Sequence, residues 1–484
     1  MLTNLRSTAT MMAATLLTFW SVREVLAAAH FSLDVLVFAT ALALMLGRTQ
    51  QRAEPADRLA ALVAVPAASA AAAWVGGLLQ EHHGYGDAVF VLALTAAVWI
   101  RRFGTGFSRA GSAITVPFVA TLIQPVPQPT SVSHIAWTAL AGLIALAWVD
   151  LLWIAATPPA SPEHARIVRE LRSQATPQPP GRVRASTRMA LQLAVALTAG
   201  FVIGRQWYPA HYVWPVLTAY IVSSGNRGRA DVAYKGVLRV LGALAGTAAA
   251  TWLFDGVFGP GSHGALTVLF GILALACFLR PWSYAYWAAC ITAALAFLTG
   301  FFGQPSSDLL RTRLAGIVLG GLAAVAAAWV VLPVRTTDVM RRRRADALAA
   351  LTDLLAEPAS RVHLVRFDRA LADLTALRPA VHAARILARP VGTGARTADA
   401  IDAMRALARA VHTYVRTRTR DPEPADTLRL LREAMAARVT PDLPDRPGAP
   451  SDAATALDDA LRAVARSYAA TLPPVTPASS GPGT

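Results

Sequence analysis

Twelve apolar stretches run through the first 333 residues, at 9–28, 31–47, 58–79, 86–100, 110–124, 134–157, 187–206, 211–224, 237–257, 264–279, 283–302 and 314–333. A helix rises about 1.5 Å per residue, so about 20 apolar residues cross the hydrocarbon core of a bilayer. The 484-residue chain is 55% hydrophobic and 15% charged, well below the roughly one-quarter charge of a soluble domain. The spacing predicts an all-α, polytopic membrane protein with about 12 transmembrane helices. The pairs 9–28/31–47 and 187–206/211–224 are joined by very short turns and predict helical hairpins. The shortest run, 211–224, is expected to extend into its flanks.

The charges report sidedness. With a cytoplasmic N-terminus, the inner loops contain Arg48, Arg52 and Arg58; Arg101, Arg102 and Arg109; Arg166 to Arg188; Arg227, Arg229 and Lys235; and Arg335 with Arg341–Arg344. The outer loops 81–85, 125–133, 258–263 and 303–310 contain neither Lys nor Arg. This asymmetry predicts a multi-pass protein of the plasma (bacterial inner) membrane with both termini cytoplasmic. It also accounts for the net charge of +16 without a nucleic-acid partner. Arg6, the apolar run from Met11 and Ala27–Ala29 imitate a cleavable signal peptide, but Arg23 and Glu24 interrupt that run.

Several chemistries are set aside on residue grounds. Lys235 is the single lysine of the chain, so no G-x-x-x-x-G-K-[ST] loop exists to hold a nucleotide's phosphates. Gly392 and Gly394 read as a loop. Neither H-E-x-x-H nor G-x-S-x-G occurs, and no enzyme or cofactor is expected. Cys277 and Cys290 lie in apolar runs and read as reduced structural residues. Glu81-His82-His83 reads as an exposed loop rather than a metal site.

Shifting the sequence by 178 residues aligns its halves: Arg6 meets Arg184, Trp74 meets Trp252, Gly86 meets Gly264 and Arg102 meets Arg280. One residue further on, Leu140-Ala-Gly-Leu meets Leu319-Gly-Gly-Leu. Six helices per half bring both copies in from the same side, which predicts two parallel six-helix repeats. The expected domains are a first repeat at 1–157, a Pro-rich cytoplasmic linker at 158–186, a second repeat at 187–334, a cytoplasmic helical domain at 335–473 and a disordered tail at 474–484. Within the helical domain, helices are expected at 338–356, 361–389, 397–419, 425–438 and 452–471, with solvated Arg-rich faces.

The run Trp214-Pro-Val-Leu-Thr-Ala-Tyr, the run Tyr234-Lys-Gly-Val-Leu-Arg-Val-Leu-Gly-Ala-Leu-Ala-Gly-Thr, and Arg313-Leu-Ala-Gly-Ile-Val-Leu-Gly-Gly through Leu332-Pro333 together resemble the fusaric-acid-resistance-protein-like family. That family is related to bacterial aromatic carboxylic acid exporters and plant aluminium-activated malate transporters. The resemblance covers 187–334 well, and 1–157 only through the internal repeat. It implies export of small organic, often aromatic, anions, with membrane lipids as the other partners and a homo-oligomer left open.

The residues point the same way. Lys235, Arg239, Gly242 and Gly246 fall on one helix face, cationic at the cytoplasmic mouth and smooth beyond it. Arg313, Gly316 and Gly320 repeat the arrangement from the outer end of the last span. A permeating carboxylate would meet a cation at each entrance, while plain Gly-x-x-x-Gly helix packing is the other account. Trp214 and Tyr220 could stack on an aromatic substrate or sit in an interfacial belt. Asp150, Glu24 and Arg23 are the ionisable residues deepest in the spans; a buried carboxylate is a proton carrier in waiting, and a structural salt pair is its alternative. Asp34 and Asp255 sit nearer the outer surface, where hydration would explain them. The leading expectation is a proton-driven organic-anion exporter. A passive anion channel, and a scaffold acting through the cytoplasmic domain, remain as alternatives.

Overall fold

The computed structural model describes residues 2–29, 33–52, 54–124, 131–157, 185–257, 263–301, 307–387, 393–417, 422–444 and 452–472, with a few positions between 163 and 171. Their regular structure is helical throughout. The chain divides into two compact units, Met1–Pro159 with Pro179–Pro333, and Ala160–Gln178 with Val334–Thr484. The stretch expected as a free linker at 158–186 thus sorts largely with the second unit, where Glu163 pairs with Arg361 at 2.8 Å. Most of that stretch, and the 474–484 tail, lie outside the described residues.

The first unit contains α1 (Leu2–Ala29), α2 (Leu33–Thr49), α3 (Pro55–Glu81), α4 (His83–Trp99), α5 (Thr105–Thr121) and α6 (Val132–Ala156). It continues with α7 (Ala185–Trp207), α8 (Val213–Ser223), α9 (Arg229–Val257), α10 (His263–Leu279), α11 (Tyr284–Phe301) and α12 (Ser307–Val330). Among the described residues, 6 helices are long and apolar enough to cross a membrane by length and composition. They run over Leu2–Ala29, Pro55–Glu81, His83–Phe103, Val132–Ala156, Ala185–Trp207 and Arg311–Val330. Large apolar side chains such as Trp20, Val63, Leu92, Ile154, Val202 and Trp252 stand on the outside of the unit. A soluble monomer rarely tolerates such a surface; lipid supplies its solvent, and this is a multi-pass membrane protein.

The expected lengthening of 211–224 does not occur. Helix α8 has 11 residues, about 16 Å at the helical rise. The tight turn Pro209–His211 precedes it. Gly225, at φ +63°, ends it in a left-handed conformation that glycine adopts without a Cβ clash. Glu81, His82 and His83 form the corner where α3 runs into α4 rather than a loop.

In the first half α6 packs on α1, α2 and α3, α3 packs on α5, and α4 packs on α5. In the second half α12 packs on α7, α8 and α9, α9 packs on α11, and α10 packs on α11. The same ordinal pairs meet each time. Between the halves, α1 packs on α10 and α4 packs on α7, so each half's first helix meets the other's fourth. Phe19 and Phe270 fill the first of these contacts edge to face at 5.2 Å. Arg205 crosses the second to Asp87 at 2.8 Å.

The second unit contains α13 (Thr336–Ala356), α14 (Arg361–Thr375), α15 (Arg378–Leu387), α16 (Thr393–Thr417), α17 (Pro422–Ala437) and α18 (Asp452–Ala469). Its core gathers Leu348, Leu351, Phe367, Leu407, Leu428 and Leu461. The single helix expected over 361–389 is two, because Pro379 lacks the N–H that would bond back to Thr375. Several arginines here pair on the surface, as Arg343 does with Asp373 at 2.8 Å. Arg344 departs from the expected solvated face. It is buried over the Tyr468 ring, 4.8 Å from its centroid. Burial pushes its guanidinium down to about 10, which leaves it charged at neutral pH.

Candidate functional site

Helix α9 buries Val232, Arg239, Ala243 and Ala250 along one side, at offsets of seven, four and seven residues. Helix α12 does the same with Arg313, Ile317, Ala324 and Ala328. Each buried face therefore carries one arginine among small residues. The small residues let the neighbouring helices approach closely, and the arginines are shut in with them. Arg239 and Arg313 are each only 1% exposed.

The packing brings these two cations together. Arg239 lies near enough for its charge to act on Arg313, so the two cations expected at separate mouths share one buried region of the unit. Arg313 donates from Nη2 to the Thr292 carbonyl at 3.0 Å and lies over the Trp214 ring, 4.4 Å from its centroid. The Tyr284 hydroxyl is the group acting on Arg239, and the Tyr284 ring lies 5.6 Å from that of Trp287. Among the described residues, no hydrogen-bond partner reaches Arg239 Nε and Nη1, Arg313 Nε, the Tyr284 hydroxyl or Thr292 Oγ1. A buried cation costs about 2.5–3.5 kcal/mol at a helix centre on the insertion scale. Two of them within range of each other's charge, with free donors, have the chemistry to meet an anion with two acceptor oxygens.

Among the described side chains of the second half, the one acid does not answer that charge. Asp231, Asp255 and Asp308 are the three acids between 187 and 334. Asp231 binds Lys235 at 2.8 Å and accepts from the Arg227 amide. The side chains of Asp255 and Asp308 lie outside the described ones.

The other sequence-derived candidates separate. Lys235 donates to the carbonyls of Ser224 and Gly225, at 3.4 and 3.1 Å, as well as pairing with Asp231. It ties the end of α8 to the start of α9 instead of joining Arg239. Replacing it with Met is expected to lower stability by about 1 kcal/mol while leaving anion binding unchanged, a result read from paired melting and binding curves. Tyr220 lies within reach of the charge of Arg101 of the first half.

The glycines line helix contacts, not a groove. A Cβ on Gly242 would stand 2.7 Å from the Ala285 carbonyl oxygen, and one on Gly246 2.1 Å from that of Ala289. On α12, Gly316 abuts Trp214 and Pro215, and a Cβ on Gly320 would stand 2.2 Å from the Pro215 oxygen.

In the first half, Asp150 is not an isolated carboxylate. Its Oδ1 accepts from Arg58 Nη1 at 2.9 Å, joining α6 to α3. Its neighbours Trp148 and Trp153 donate to Ser21 Oγ and to the Gly47 carbonyl, at 2.9 and 2.7 Å. Asp150 therefore belongs to a bracing network, and its partner lies 92 residues away. Glu24 and Arg23 are exposed in the last turns of α1, with Arg23 over the Trp20 ring, so they are not deep in the unit. Asp34, expected to be hydrated, is instead 1% exposed, and its Oδ2 lies 3.5 Å from Nδ1 of His134, itself 0% exposed. This pair was the one missed. Thr292 and Tyr284 carry no sequence signal for a site; His134 does, as the counterpart of Arg313 under the displacement that aligns Leu140 with Leu319.

Residues 189–327 match the family model described as fusaric acid resistance protein-like, which is the family the motifs around Trp214, Lys235 and Arg313 resemble. That stretch contains both arginines. No curated protein and no solved structure matches the chain.

Proposed function

Proceeding from that match, we propose that the protein exports small organic anions, aromatic carboxylates foremost, and that Arg239 and Arg313 hold the carboxylate. The single observation that carries this reading is the pair of buried guanidiniums with free donors and no carboxylate beside them among the described side chains. Bidentate pairing suits a carboxylate. Trp214, Tyr284 and Trp287 supply flat apolar surface around it, which favours an aromatic over an aliphatic acid. The outer-loop and inner-loop charges support a plasma-membrane protein with both termini inside. The matching helix pairs of the two halves, and their reciprocal first-to-fourth contacts, support two parallel six-helix repeats about a pseudo-two-fold axis. Without a nucleotide-binding loop, uphill export draws on an ion gradient, and the proton gradient is the proposed drive.

The test is benzoate transport in proteoliposomes, with a series of aromatic and aliphatic carboxylates as competitors. The expected result is benzoate accumulation on imposing a pH gradient, competition by aromatic acids, and loss of both in the Arg239→Gln/Arg313→Gln double variant. Full transport by that variant would remove the site. Benzoate flux that equilibrates but never accumulates would leave a passive anion channel.

A further inference from the structure

His134 and Arg313 hold equivalent places in the two halves. Leu140-Ala-Gly-Leu aligns with Leu319-Gly-Gly-Leu at a displacement of 319 − 140 = 179 residues, and 134 + 179 = 313. Each residue stands near the start of its half's sixth helix, and each meets the second residue of that half's second helix. Arg313 of α12 lies over Trp214 of α8. His134 of α6 lies beside Asp34 of α2, 3.5 Å from Nδ1 to Oδ2. One position of the fold thus carries a fixed cation in the second half and a titratable pair in the first.

We infer that Asp34 and His134 form the proton-binding site that couples anion export to the proton gradient. This inference rests on the anion-export reading and adds the residues that move the proton. The step is a single protonation. An ionised Asp34 with a neutral His134 carries net charge −1; one proton taken onto the imidazole makes it a donor to the carboxylate and brings the pair to net zero. Nothing else changes hands.

The surroundings set two effects against each other. A low-dielectric interior works against any net charge on the pair. The first turns of α2 and α6 both end at the pair, and helix N-termini favour the net-negative, deprotonated one. With the two effects opposed, a conformational change that admits water removes the first and releases the proton. Occupancy therefore depends on which side is open, which is the requirement for coupling.

The other groups on elements packed against the pair can be named. On α1, Arg23 and Glu24 are exposed. At the outer end of α3, Glu81 and His82 are exposed. From the segment after α5, Gln124 donates Nε2 to the Asp34 carbonyl at 3.1 Å and fixes the start of α2. His30 and residues 125–130 lie outside the described ones. Asp34 is a charged group that acts on His134.

The test uses full-length protein in lipid nanodiscs, read in two ways. In protein labelled with ¹⁵N-histidine, the His134 ring signal, assigned by its loss in His134→Gln, is expected to titrate once between about pH 5 and 9. Its midpoint should move by about one pH unit or more in Asp34→Asn. Calorimetry of benzoate binding in two buffers of different ionisation enthalpy should show about one proton exchanged per benzoate, and none in His134→Gln or Asp34→Asn. By the same linkage, benzoate affinity should change about ten-fold per pH unit in the wild-type protein through the titration and stay flat with pH in both variants. A proton number unchanged in both folded variants would overturn the inference, as would a His134 signal that does not titrate. If the wild-type protein binds no benzoate, the anion reading falls instead, and the His134 titration still decides the proton site. The Asp34→Asn/His134→Gln pair, an amide facing an amide, keeps a neutral buried contact if a single variant fails to fold.

Discussion

Replacing Arg239 with Met is expected to abolish benzoate binding and, in the same protein, to raise the melting temperature of the ligand-free state. The two effects have one cause. Arg239 is a full charge shut among α9, α11 and α12, with Nε and Nη1 unpartnered and a second guanidinium acting on the first. Exchanging buried charge for a well-packed apolar side chain of similar volume stabilises proteins by about 1–4 kcal/mol, which is several degrees of melting temperature. The same exchange removes charge-assisted hydrogen bonds worth about 1.5–3 kcal/mol each, so affinity should fall by about 100-fold or more. Arg239→Lys separates charge from geometry: it keeps the buried cation but cannot form the fork, so binding should weaken without the gain in stability. A structural arginine would behave in the opposite way. A fall in melting temperature on Arg239→Met would show that the side chain holds the helices together, and the anion site would lose its foundation.

The second large effect concerns adjacent glycines that the sequence does not tell apart. Gly320→Ala is expected to prevent assembly of the first unit, whereas Gly321→Ala should leave expression and transport intact. A Cβ on Gly320 would stand 2.2 Å from the Pro215 carbonyl oxygen and 2.9 Å from its carbonyl carbon, and backbone has nowhere to retreat. At Gly321 a Cβ meets nothing within 4 Å. The forced separation of α8 from α12 costs about 1–3 kcal/mol in packing alone, at the least. It would also lift Trp214 from beneath Arg313. The Gly321 exchange instead gains up to about 1 kcal/mol of helix propensity. Size-exclusion profiles of the two variants in detergent, with benzoate binding, check both halves of the statement. A well-folded Gly320→Ala protein with normal affinity would mean that the α8–α12 contact does not position the site.

Much of the candidate site was legible as residue types and little of it as geometry. Arg239, Arg313 and Trp214 stand out from sequence because a charge or an indole in a glycine-rich apolar run is rare and costly. Their meeting does not stand out: it depends on α12 returning past α9, and no local pattern encodes that. The same holds for Arg58 with Asp150. Asp150 has no cation within a turn of its own helix, so a lone proton carrier is the natural reading until α3 is seen to lie beside α6. Glu24 misleads in the other direction, since depth along an apolar run says nothing about which face is buried.

What the sequence by itself determined is the set of properties that are local along the chain. Apolar runs of bilayer length, arginines confined to alternate loops, and the 178-residue displacement each follow from composition within a window. They suffice for a helical, multi-pass reading and for the expectation of a duplication, and residues 189–327 match one family model. The end at Gly225 was not read from the sequence: the run at 211–224 was expected to extend, and the glycine stops it. Tertiary structure decided what depends on two faces meeting. Coulomb and packing energies are set by distance in space, and the chain's connectivity leaves that distance open. Only the assembled helices pair Asp34 with His134 across 100 residues, cover the glycine faces with neighbouring backbone, and leave two arginines buried together.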